Sequence, residues 1–82
     1  MSDLRSFVRD VEARARQGGN PLSMSKLRDA ITVALFDRTY AASIAAESAG
    51  TLEPIVLPPP HLARAAERYR IDASAFGFAF PA

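Results

Sequence analysis

Apolar residues recur at helical spacing through the first half of this chain and break into short, proline-bounded groups in the second. From Asp3 to Arg16, Leu4, Phe7, Val8, Val11 and Ala15 follow i, i+3, i+4, i+7 and i+11, the stripe of one buried helix face, with charge elsewhere. Ser2 is the predicted N-cap. Asp3 lies in the first turn, where a carboxylate suits the helix dipole, Arg14 and Arg16 lie in the last, and Gly18-Gly19-Asn20-Pro21 stops the helix. A second helix is predicted behind a cap at Ser23 or Ser25, with Leu22 as a staple and Leu27, Ala30, Ile31, Ala34 and Leu35 as its stripe. The turn Phe36-Asp37-Arg38 leads to Thr39, whose hydroxyl is suited to cap a third helix running from Tyr40 to Ala49 and ended by Gly50. Five alanines leave that helix little bulk, so another helix could approach it closely.

After Gly50 the pattern changes. Glu53-Pro54-Ile55-Val56-Leu57-Pro58-Pro59-Pro60 sets β-branched residues between prolines, which predicts a short extended segment or edge strand and rules out a central one. Pro60 is predicted at the first position of a fourth helix that ends near Ile71. Leu62, Ala65, Ala66 and Tyr69 form its stripe, and Arg64, Glu67, Arg68 and Arg70 face solvent, with Asp72 and Ser74 as turn or cap residues. Phe76-Gly77-Phe78-Ala79-Phe80 alternates with period two, putting three rings on one face. It reads either as a strand paired with Ile55 to Leu57 across a helical crossover, or as an irregular tail whose rings plug a groove between helices. The predicted fold class is therefore mainly α (α+β): a three-helix N-terminal unit, then a fourth helix flanked by two short extended or β segments. No internal repeat is present.

Composition narrows the function classes. The 82 residues predict one domain spanning 1–82; at this size about 60% of the unfolded chain's surface can be buried and stability is on the order of 5 kcal/mol. A 49% hydrophobic content is that of a packed chain rather than a disordered tail. Cysteine is absent, which removes disulfides, thiol catalysis and thiolate metal sites, and fits a reducing, cytoplasmic setting. No apolar run nears the roughly 20 residues of a membrane span, and the start Met-Ser-Asp-Leu-Arg-Ser-Phe is no export leader, so neither membrane insertion nor export is expected. A net charge of +1 supplies no strong field for phosphate backbones. Every cation except Lys26 is arginine, which reads as GC-rich coding or as a set of planar forks for carboxylates at an interface.

Candidate chemistry is sparse. His61 is the sole histidine, too little for a zinc or copper site, and no Gly-x-Ser-x-Gly elbow accompanies it to build a Ser-His-Asp triad with Asp72. Asp10 with Glu12, or Asp29 with Asp37, do not face each other on a helix and read as solvated faces. The glycine-rich turn lacks the lysine and the flanking strand of a phosphate cradle. The second and third helices could form a helix-turn-helix, but the would-be recognition helix from Tyr40 to Ala49 has no Arg, Lys, Asn or Gln, and its Glu47 would repel phosphate. Arg5, Arg9 and Arg16, or Arg64 and Arg68, remain as phosphate contacts, diluted by Asp10, Glu12 and Glu67.

From Leu22 to Tyr40 the chain resembles the glyoxalase-related domain, a small helical family that reads Leu-Ser-His-Ser, an amphipathic helix, then Leu-Gly-Tyr-Arg-Asp-Trp. Leu22, Ser23, Ser25, Ile31, Leu35, Arg38, Thr39 and Tyr40 stand at matching spacings, Thr39-Tyr40 in place of Asp-Trp. Met24 replaces the histidine and Phe36-Asp37 the Gly-Tyr, so this helix must end without a glycine. The resemblance implies a helical interaction module with no catalytic activity and an origin on a plasmid or phage.

The expected function is a non-enzymatic protein-binding module acting stoichiometrically on a protein partner, as a regulator or inhibitor. The alternative is a small DNA-binding accessory protein, dimeric through the alanine face of its third helix. His61, Arg64, Arg68 and Tyr69 on the fourth helix, with Arg38 and Tyr40 at the turn, are the expected contact residues. For the two tyrosines the competing role is a core ring with its hydroxyl at the rim. No cofactor or metal is expected.

Overall fold

A computed structural model describes residues 3–19 and 22–81, which form five helices: α1 (Leu4–Gln17), α2 (Met24–Phe36), α3 (Tyr40–Ala49), α4 (Leu62–Tyr69) and α5 (Ala73–Gly77). The predicted cap Ser2 lies outside the described residues, as do Asn20 and Pro21; Asp3 caps α1, its carboxylate accepting the Arg5 N–H at 3.1 Å. The α1 stripe is as read from the sequence, with Leu4, Val8, Val11 and Ala15 buried and Phe7 packed against them.

The fold is organised around α2, which packs against α1, α3 and α4. A helix with three neighbours needs more than a stripe, and α2 is buried at Leu27 and then continuously from Ala30 to Phe36. The one polar residue in that run is satisfied internally: the Thr32 hydroxyl donates to the carbonyls of Arg28 and Asp29, each at 3.2 Å. Ser23 occupies the N-cap position without a side-chain bond. At the other end Asp37 takes the left-handed conformation (φ 58°) that glycine would otherwise supply, its N–H bonding the Val33 carbonyl at 2.9 Å. Thr39 then caps α3 by accepting the Ala42 N–H at 3.3 Å, and Gly50 ends it at φ 73°.

The predicted β component is corrected. Among the described residues there is no strand. Ile55 to Leu57 form no ladder, consistent with three following prolines that have no N–H to donate. Phe76 to Phe80 wind rather than extend, because Asp72 caps a new helix by accepting the Ser74 N–H at 3.0 Å and the turn continues through Ala79 N–H to Phe76 O and Phe80 N–H to Gly77 O. Helix α4 also starts later than read: Pro60 sits in a turn and Leu62 is the first helical residue. It ends at Tyr69, where Arg70 turns left-handed at φ 55°. Its stripe stands as predicted, with Ala65 and Ala66 buried and Leu62 and Tyr69 against the core. The His61 N–H donates to the Ala34 carbonyl at 2.8 Å and pins the head of α4 to α2.

No helix among the described residues is long and apolar enough to cross a membrane.

Candidate functional site

The side chains that read as solvated in the sequence do structural work between helices. Glu12 is buried (5% exposed) and accepts from Arg28 Nε at 3.1 Å, joining α1 to α2. Asp29 reaches from α2 to accept the Tyr40 N–H at 2.9 Å, closing an N–H that α3 cannot satisfy itself. Glu47 does the same for α1, its Oε2 accepting the Leu4 N–H at 2.9 Å. Asp37 pairs with Arg64 at 2.9 Å. Each needs a partner distant in sequence, so helical spacing alone carries no sign of it.

These bonds decide what the six expected contact residues can offer. Arg38 forks Glu53 at 2.9 and 3.2 Å, and with Arg64 on Asp37 the adjacent residues 37 and 38 anchor two separate segments. Both pairs are part-exposed and worth roughly 0–1 kcal/mol each. Arg68 lies over the Tyr69 ring, 5.6 Å from its centre. Tyr69 packs on the core with its phenol pushed above the usual range, foremost by burial and further by Asp29, against the opposing pull of Arg68. Thus Arg64, Arg68 and Tyr69 share α4 with the turn at 37–38 beside them. Tyr40 belongs elsewhere: its ring lies 5.6 Å beneath the Arg28 guanidinium and lines concavities shared with α1 and the start of α2. His61 is half-buried at the head of α4.

The surface missed in the sequence is apolar. A groove of about 700 Å³ runs between Leu57, Pro58, Pro59, Leu62, Phe78 and Phe80. Phe78 is 85% exposed, Leu57 is exposed on the same groove, and Val56 next to Leu57 in the chain is exposed as well. Helical winding explains this. At roughly 100° per residue, positions four apart return to one side and the position between them points away. Phe76 and Phe80 accordingly meet edge to face at 5.4 Å inside, and Phe78 is left outside. The signal was present as three closely spaced rings; reading them at period two sent all three to one face. Gly77 serves close packing here, since a Cβ on it would meet Leu62 Cδ2 at 3.3 Å.

Among the described residues, no three His, Asp or Glu side chains gather as a metal site. Helix α3 is unpromising for base reading, since Glu47 is engaged with the first turn of α1 and the exposed residues of the helix are four alanines and Ser48. No protein-family model, curated protein or solved structure matches this chain.

Proposed function

We propose that this chain is a non-enzymatic protein-binding module that acts stoichiometrically, as a regulator or inhibitor, by taking an apolar segment of a protein partner into the groove beside Phe78. The observation that carries the reading is a phenylalanine held 85% in water at the edge of an apolar groove. An exposed ring on an ordered backbone loses little entropy on docking and removes a large apolar area from water. Arg14 lines the groove itself, and the weak surface pairs of Arg38 and Arg64 can exchange for carboxylates of the partner. The resemblance of residues 22–40 to a helical interaction module supports the same reading, as does a cytoplasmic setting for a chain without cysteine.

The test compares the immobilised chain with its Phe78→Ser variant for retention of a partner from the source cell. Because the ring is exposed, the substitution should move folding stability by no more than about 0.5 kcal/mol. Loss of the ring should weaken partner binding about tenfold to a hundredfold, the range of an interface anchor. Equal retention by both proteins would remove the groove from the function.

A further inference from the structure

A second surface differs in chemistry from the apolar groove. Two adjoining concavities meet at Arg28 and Tyr40: one of about 250 Å³ is lined by Arg5, Val8 and Arg9 with those two residues, the other of about 430 Å³ by Ser23, Met24 and Ser25 with the same two. Arg5 and Arg9 stand one helical turn apart on α1, both exposed, and neither forms an ion pair among the described residues. Like charges at that spacing repel. An anion between them relieves the repulsion.

Arg28 is already positioned to help. Its Nε is held by buried Glu12 at 3.1 Å and its plane rests over the Tyr40 ring, while its terminal amino groups make no hydrogen bond among the described residues. A guanidinium fixed on two sides loses little freedom when its remaining fork takes a carboxylate. Glu12 offsets the charge of Arg28 while leaving its terminal donors open, so the net positive charge here is that of Arg5 and Arg9, and the Asp29 Oδ1 accepts the Tyr40 N–H.

We propose that this groove binds an acidic segment of a protein, one carrying Asp or Glu side chains next to an apolar residue. The carboxylates sit among Arg5, Arg9 and Arg28. The apolar residue lies against Met24, which is 47% exposed, and the Tyr40 ring. A nucleic acid is the poorer occupant, because it needs a long cationic stripe and this chain carries +1 overall. The proposal does not use Phe78, so it stands or falls separately from the apolar groove.

The experiment is a titration of the isotope-labelled full chain with an acetylated, amidated Glu-Glu-Leu-Glu-Glu peptide, followed by amide and arginine side-chain NMR. Parallel titrations use the Gln-Gln-Leu-Gln-Gln peptide, a short DNA duplex and inorganic phosphate. Shifts should concentrate at Arg5, Arg9, Arg28, Met24 and Tyr40, weaken as salt rises, and be absent with the glutamine peptide. The Arg5→Gln, Arg9→Gln double variant, altered only at exposed positions, should bind about tenfold more weakly, and Phe78→Ser should bind as the unaltered chain does. No localised shift, equal response to the glutamine peptide, indifference to the arginine substitutions, or equal or tighter binding of DNA or phosphate would each overturn the proposal.

Discussion

The stretch from α1 to α3 and the stretch from Thr51 to Pro81 handle their apolar residues differently. In the first, helices of 14 and 13 residues each carry an extended buried face, the 10-residue α3 buries Ser43 and packs Tyr40 and Ile44 on the core, and Glu12, Asp29 and Glu47 tie the helices together. In the second, helices of 8 and 5 residues follow a proline-rich segment, and Val56, Leu57 and Phe78 remain in water. Yet the second stretch is no appendage: α4 packs on α2, and Phe76, at 1% exposure, is as enclosed as Leu4. Short helices with few turns cannot hide rings on all sides, so the same segment that completes the core also presents the main apolar surface. Core and exposed apolar surface are thus divided by residue within one segment, with Phe76 inward and Phe78 outward.

The largest effect that tests this contrast is in the core. Ile31→Ala, at a fully enclosed position of α2, should cost about 3–4 kcal/mol, most of the stability available to a chain of this size, and chemical denaturation followed by circular dichroism should show its unfolding midpoint fall to a small fraction of the unaltered chain's. A loss below about 1 kcal/mol would mean that α2 is not the centre of the fold. Next is the polar tie between helices. Asp29→Ala should cost about 1–2 kcal/mol and speed hydrogen exchange at the Tyr40 amide, whereas Asp29→Asn, which keeps an acceptor, should lose less. An unchanged Tyr40 exchange rate would show that α3 starts without help from α2.

The smallest effect is a pH dependence at Tyr69. Its phenol holds its proton more tightly in the folded chain than in the unfolded one, so its contribution is fully present below the unfolded value of about 10 and is lost as pH rises through the folded value. Tyr69→Phe should flatten that alkaline decline. Asp29→Ala should lower the phenol's titration midpoint, since Asp29 is one of the causes that raise it. An alkaline profile unchanged by Tyr69→Phe would place the decline elsewhere.

Four helices were legible in the chain because their stripes repeat over two or more turns and their stop signals are local. Thr39, Gly50 and the stripes of α1 and α4 act through neighbours within a few residues, so spacing alone identifies them. Spacing leaves the aromatic tail open between a strand and an irregular plug, because five residues are too few to separate a period of two from a helical turn; the cap residue Asp72 is the better guide. The expected contact residues were chosen for type, and type says nothing of prior commitments. Arg38 and Arg64 turned out to hold Glu53 and Asp37, and Arg28, outside the expected set, turned out to sit over Tyr40.

The amino-acid order by itself determined the mainly helical class, the inward faces of α1 and α4, and the lack of cysteine beside a single histidine, because these follow from local periodicity and from which groups are present at all. Only the tertiary structure decided which carboxylates are buried and bonded, which phenylalanine faces water, and which arginines stand together, because each depends on groups brought near from distant parts of the chain. Glu12 meets Arg28 across 16 positions and Glu47 meets Leu4 across 43, separations over which no sequence period operates.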